Sequence, residues 1–199
     1  AIASQYAATR ERGLVHVAPT GFDGRDSVGL PARLPSVIGV GAADRTGAGM
    51  APQSNRGAAV DGAAPGLGVI TLAPGHGTVM QDGATPAAGY AAGVLALALS
   101  VDADLSPADL EALLTLSARD LGVPGRDPAS GAGLVDAWRM LRHAGVPGDA
   151  NSDGTVNMID LEIVLDAWGL HGASPADVTL DDQVNFADLG LVLDMMSAP

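Results

Sequence analysis

Short apolar runs separated by Gly and Pro fill the first part of the chain. Residues 14–18, 36–41 and 68–73 are compact, carry Val, Ile and Leu, and do not alternate with polar residues. Such runs predict strands buried on both faces, as in a parallel sheet. Residues 84–99 are apolar all round, which predicts a helix buried on every side. Ser106-Pro107-Ala108-Asp109 opens the next helix, with Ser106 as cap, Pro107 at the first helical position and an acid in the first turn. Leu110, Leu113 and Leu114 make its buried stripe, residues 135–142 form a last short helix, and residues 144–148 read as a linker. The pattern then changes to two copies of a polar loop followed by an apolar helix. Leu161, Val164, Leu165 and Trp168 fall at i, i+3, i+4 and i+7, and Leu189, Val192, Leu193 and Met196 repeat that stripe.

Composition sharpens this division. The chain has 199 residues, is 47% apolar and only 3% aromatic, as a layered α/β core of small residues would be. The net charge of −13 is local: from Gly148 onward there are ten acids and no Lys or Arg, while the first 147 residues carry thirteen acids and ten Arg. No basic patch exists to neutralise phosphates, which argues against a nucleic-acid partner. Without cysteine there is no disulfide or thiolate chemistry. The apolar run 89–101 is shorter than the ~20 residues a membrane span needs. The chain opens in what reads as mid-helix, so the start is expected to be missing and no signal segment is visible.

The candidate chemistry is clearest in the two polar loops. In loop 149–160, oxygen side chains stand at positions 1, 3, 5, 9 and 12: Asp149, Asn151, Asp153, Asn157 and Asp160. Gly154 permits the sharp turn and Thr155 offers its carbonyl, a ligand set that suits Ca2+. The frame returns 28 residues later as Asp177, Thr179, Asp181, Gln183, Asn185 and Asp188. Nine of eighteen positions are identical between the copies. Residues 149–199 resemble a type I dockerin, a duplicated EF-hand-like calcium module. That resemblance implies docking onto a cohesin-like domain or another protein through loop positions 10 and 11, here Met158, Ile159, Phe186 and Ala187. Asp182 replaces the turn Gly and Thr179 is a weaker ligand, so the second loop is expected to bind calcium less tightly. With its acids clustered and no disulfides, the tail is expected to be largely unfolded until calcium neutralises it.

Residues 1–143 resemble the C-terminal half of the subtilisin-like serine peptidases. The resemblance rests on four segments in family order: residues 31–44; Ser54-Asn55-Arg56-Gly57 with the following 60–66; Gly83-Ala84-Thr85-Pro86 through Gly93; and residues 131–137. It implies part of a parallel sheet with flanking helices, so the fold expected overall is α/β plus a small all-α calcium module. It also implies a Ser nucleophile assisted by His and Asp. Thr85 stands at the Ser position, and its extra methyl crowds the attack and restricts χ1. Phe22 stands where the family has its oxyanion Asn. Removing that donor from subtilisin, a member of the same family, costs about 10²–10³ in turnover.

The family's Asp and His motifs would precede residue 1, and Gly75-His76-Gly77-Thr78 echoes the His motif at the wrong place in the chain. His16, His143 and His171 read as strand, helix-end and linker residues, and Asp61 and Asp136 as structural. The reading that follows is a secreted, catalytically degenerate peptidase relative expected to bind peptide without cleaving it, joined to a calcium-dependent docking module, with no membrane or nucleic-acid partner. Two others stay open on sequence alone: an active peptidase using Thr85 with upstream Asp and His, and a non-catalytic scaffold component.

Overall fold

The computed structural model describes residues 2–197. The chain forms two compact units, Ala1–Met140 and Leu141–Pro199, each treated by itself.

The first unit is built on three parallel strands, β1 (Val17–Pro19), β2 (Ile38–Ala43) and β3 (Gly62–Pro65), in that spatial order. All six residues of β2 are buried, as expected of a central strand covered on both faces. The helix α2 (Ala84–Val101) packs on all three strands through Ala84, Ala87, Ala88, Ala91, Val94, Leu95 and Ala98. Five of those seven are Ala, which lets the helix approach the sheet closely.

The helix α3 (Pro107–Ser117) begins as the sequence predicts. The Ser106 hydroxyl accepts the Asp109 N–H, and the Asp109 carboxylate accepts the Ser106 N–H, a reciprocal capping box. Its buried face is Leu110 and Leu114, with Leu113 half-buried. The helix α1 (Ile2–Arg10) has no buried residue; Arg10 pairs with Glu111 of α3, and Tyr6 packs edge-on to His16.

Three expectations need correction. The run 68–73 is not a buried parallel strand: β4 (Val69–Ala73) pairs antiparallel with β5 (Gly77–Gln81) in a separate hairpin. On its outer face Ile70, Met80 and Leu72 are exposed, Leu72 by 90%. The helix α2 is not buried all round, for Tyr90, Leu97 and Val101 lie on an open side. It also begins earlier than the run 89–101, and its 18 residues are long and apolar enough for a membrane span, although its buried face packs as a core helix does. Finally, β3 was not foreseen. Gly-Ala-Ala-Pro carries no Val, Ile or Leu, and it is a strand because β2 pairs with it from Val40↔Gly62 to Ala43↔Pro65.

The helix α4 (Ala137–Ala144) starts two residues later than expected, with the Asp136 carboxylate accepting the Arg139 N–H. The second unit contains α5 (Met158–Asp166) and α6 (Phe186–Ser197), which pack on one another. Its core is Ala150, Val164, Ala176, Val178, Val184 and Val192. The expected stripe holds at Leu161, Val164, Leu189, Val192 and Met196, which lie in or against this core, whereas Leu165, Trp168 and Leu193 are exposed and Ile163, Ala167 and Leu191 pack against the core as well. The helices begin two residues before Asp160 and Asp188, so these carboxylates, and not only apolar residues, face inward.

Candidate functional site

The loop leaving β1 and the first turn of α2 meet around Phe22. Asn55 shapes that loop. Its Oδ1 accepts the N–H groups of Asp23 at 3.0 Å and Arg25 at 3.1 Å, and its backbone N–H donates to the Gly21 carbonyl. Gly21, at φ 112°, has no room for a side chain, since a Cβ would sit 2.3 Å from Asn55 Nδ2. The Phe22 ring is thereby laid into an apolar cluster with Ala42, Ala51, Leu67 and Ala84.

Thr85 is the second residue of α2 and is exposed. The helix has Gly83 as its cap, at φ 148° and without a side-chain bond, so the first-turn N–H groups have no side-chain cap. The Gly83 N–H donates to the Gly66 carbonyl at 2.7 Å, and at Gly66 a Cβ would strike Ala42 and the Gly83 carbonyl. The strand end and the helix start are thus locked together, with Phe22 beside Ala84 and no donor side chain at position 22.

His76 sits at the tip of the β4–β5 hairpin at φ 67°, exposed, as a turn residue does. His16 Nε2 lies 2.7 Å from the Thr9 hydroxyl. Among the described residues, His16, His76 and His171 make no hydrogen bond to Thr85. Asp61 accepts the Gly39 N–H and pairs with Arg126 at 2.9 Å, a structural role.

The two loops of the second unit share most of their backbone-to-carboxylate hydrogen bonds at an offset of 28 residues. Asp149 accepts the N–H groups of Asp153 and Gly154; Asp177 accepts those of Asp181 and Asp182. Asp160 accepts from Asn151 and Asn157, and Asp188 from Thr179 and Asn185. Asn157 accepts the Ile159 N–H as Asn185 accepts that of Ala187. The backbone agrees: Ser152 and Leu180 take φ of 60° and 61°, and Gly154 and Asp182 take 88° and 66°. Asp182 therefore makes the turn that Gly154 makes, which its short polar side chain tolerates.

Asp160 and Asp188 are wholly buried, and Asp177 is 1% exposed. Burial raises the Asp177 carboxyl above its ordinary value, with Asp188 and Asp181 adding to the rise and the Asp182 and Asp181 N–H groups opposing it. Asp153 is held low, chiefly by the Thr155 hydroxyl. One carboxylate oxygen from each of Asp177, Asp181 and Asp188 lies within 4.8 Å of the others, close enough to share a metal ion. An all-oxygen, anionic set of this kind fits a hard divalent cation. The convergence is thus in the loop that the sequence marks as the weaker. The Thr179 hydroxyl is turned to Asp188 at 2.8 Å, and Asn151 Nδ2 donates to Asp153 at 2.9 Å. Met158, Ile159, Phe186 and Ala187 occupy the first turns of α5 and α6 and are exposed, Phe186 by 78% with its ring edge-on to Trp168.

A profile of the Subtilase family matches residues 2–133, about two thirds of the chain. The chain belongs to the subtilase family. Among curated subtilases, alkaline elastase YaB of Bacillus sp. (strain YaB) is 35% identical over 130 residues, covering 65% of this chain and 33% of that protein. Halolysin of Haloferax mediterranei is 38% identical over 124 residues, and subtilisin BL of Lederbergia lenta 32% over 131, covering 61% and 66% of this chain and 23% and 47% of theirs. The first unit also superposes on the prenylagaramide maturation protease PagA, with a TM-score of 0.65 and 27% identity, covering 72% of this chain and 55% of that one. This subtilase chain therefore spans between a quarter and a half of the curated relatives it matches.

The sequence singles out Phe22, Thr85 and the two polar loops, and the structure places Phe22 beside Ala84 and brings Asp177, Asp181 and Asp188 together. Asn55 and Arg142 carry no role in the sequence pattern. Arg142 lies in the last turn of α4 and within the second unit, where burial lowers its pKa and Asp149, Asp177 and Asp160 sustain its charge.

Proposed function

We propose that the chain is part of a secreted subtilase relative that has lost peptide-bond hydrolysis and carries a calcium-dependent docking module. The observation that carries the first half is Phe22. Its ring packs against Ala84, next to Thr85, at the position where the resemblance implies an oxyanion donor. A tetrahedral oxyanion formed at Thr85 would meet a ring in place of a side-chain amide donor. Thr85 also adds a methyl on the carbon that bears the attacking oxygen. In this reading the unit can still bind peptide while lacking the means to cleave it. The apolar side of α2, with Tyr90, Leu97 and Val101, supports reading the unit as part of a larger domain.

In the second unit, Asp149, Asn151, Asp153, Asn157 and Asp160, with the Thr155 carbonyl, would hold one calcium ion. Asp177, Thr179, Asp181, Asn185 and Asp188, with the Gln183 carbonyl, would hold another. Calcium supplies positive charge that offsets carboxylates buried beside one another. The shared backbone-to-carboxylate bonds of the two loops support this assignment. The exposed Met158, Ile159, Phe186 and Ala187 then form the surface offered to a cohesin-like or other protein partner. An extracellular location accords with a Xanthomonas campestris relative named extracellular protease, 38% identical over 136 residues.

A fluorophosphonate probe on the full-length parent protein tests the catalytic half. No labelling at Thr85 is expected; covalent labelling there would make the protein an active peptidase and overturn the reading.

A further inference from the structure

Arg142 reaches the beginnings of both loops. Its Nη1 donates to the carbonyls of Asp149 at 3.0 Å and Ala150 at 3.2 Å, and lies 3.5 Å from Ser152 Oγ. Its Nη2 donates to the carbonyl of Pro175 at 3.0 Å. Asp149 is the first residue of one loop, and Pro175 stands two residues before Asp177, the first of the other. One planar guanidinium with donors in a fixed fork can hold several separate carbonyls at once, whereas an ammonium group acts as a point charge.

The hydrogen bonds from Arg142 to residues 149, 150 and 175 all go to backbone carbonyls. The Asp149 carboxylate accepts the Asp153 and Gly154 N–H groups, and that of Asp177 those of Asp181 and Asp182. Through these carbonyls Arg142 orders the backbone of both loops, while Asp149, Asp177 and Asp160 sustain its charge.

We infer that Arg142 is a positioning residue that couples the two loops, so that calcium taken up by one raises the affinity of the other. The inference rests on the calcium reading above. Fixing residues 149–150 in a loaded loop fixes the guanidinium, and this already meets part of the ordering that residue 175 would otherwise require. An Arg acting only as a nearby positive charge would weaken both loops and leave them independent.

Calorimetric calcium titrations of the full chain test this in four forms: wild type, D181N, R142K and R142K with D181N. Asp181 is exposed, so D181N weakens its loop without opening the core. In the wild-type background, D181N should lower the affinity of the remaining loop by at least about fivefold, within the usual range of coupling between sites. In the R142K background the same change should stay under twofold. R142Q, which drops the charge and the fork, is a second replacement and should uncouple the loops likewise. Coupling is reciprocal, so D153N should repeat the result from the other loop. An equal loss in both backgrounds would overturn the inference and leave the calcium reading intact. A wild-type chain that takes up no calcium would remove both.

Discussion

The carboxylate of Asp188 accepts the backbone N–H of Thr179 at 2.9 Å, nine residues back along the chain. The same oxygen takes the Thr179 hydroxyl at 2.8 Å, while the other oxygen takes the Asn185 N–H. One wholly buried acid thus closes its loop from both ends. Asp160 does the same with Ala150, Asn151 and Asn157.

Removing such an acid leaves several N–H groups without acceptors. Asp160→Ala should lower the stability of the second unit by about 2–4 kcal/mol, since each stranded buried donor costs about 1–3 kcal/mol. Urea unfolding followed by the circular dichroism of the helices measures it. A loss under half a kilocalorie would mean that the loop does not depend on the acid.

The raised Asp177 carboxyl gives a pH dependence of known sign. Because burial lifts its folded value above the ordinary 3.8, the calcium-free loop is favoured below that ordinary value. That contribution is lost as pH rises through the lifted value. Calcium must displace the proton, so apparent affinity should rise with pH through that window and then level off. Asp177→Asn should weaken binding and flatten this rise. A pH-independent affinity in the unaltered chain would contradict the assignment.

The first unit offers a test of its helix start. Ser106→Ala removes the acceptor for the Asp109 N–H and should cost about 1 kcal/mol of stability, read from a denaturant midpoint. Leu110→Ala, in the centre of the same helix and wholly buried, should cost about 2–5 kcal/mol. Equal effects of the two would show that α3 is held by its cap and not by its packing.

Replacing Thr85 by Ser in the full-length parent should leave any peptidase activity low, because Phe22 stays packed against Ala84 where the resemblance implies an oxyanion donor. Adding Phe22→Asn to T85S should raise turnover of a chromogenic peptide by about 10²–10³-fold. Equal turnover by T85S and by the double variant would contradict this.

The sequence made the repeated loops legible because their pattern is positional: oxygen-bearing side chains recur at fixed offsets, and the backbone follows. The capping box of α3 was readable for the same reason. What escaped depends on partners remote in the chain. β3 has too few apolar atoms to announce a strand and exists through its register with β2. The hairpin β4–β5 has apolar residues that belong to an outer face, so the run looked buried. The stripes expected of α5 and α6 hold at Leu161, Val164, Leu189, Val192 and Met196 and fail at Leu165, Trp168 and Leu193, because Asp160 and Asp188 take inward positions that periodicity reserves for apolar side chains. Arg142 gave no signal at all, because its acceptors are backbone carbonyls 7, 8 and 33 residues away.

The central claim is that the duplicated loops are calcium sites. Isothermal titration of the chelator-stripped chain with calcium tests it directly. The account predicts uptake of two ions per chain, with the helical circular dichroism of residues 141–197 rising as they bind. No heat of binding and no spectral change up to millimolar calcium would contradict it.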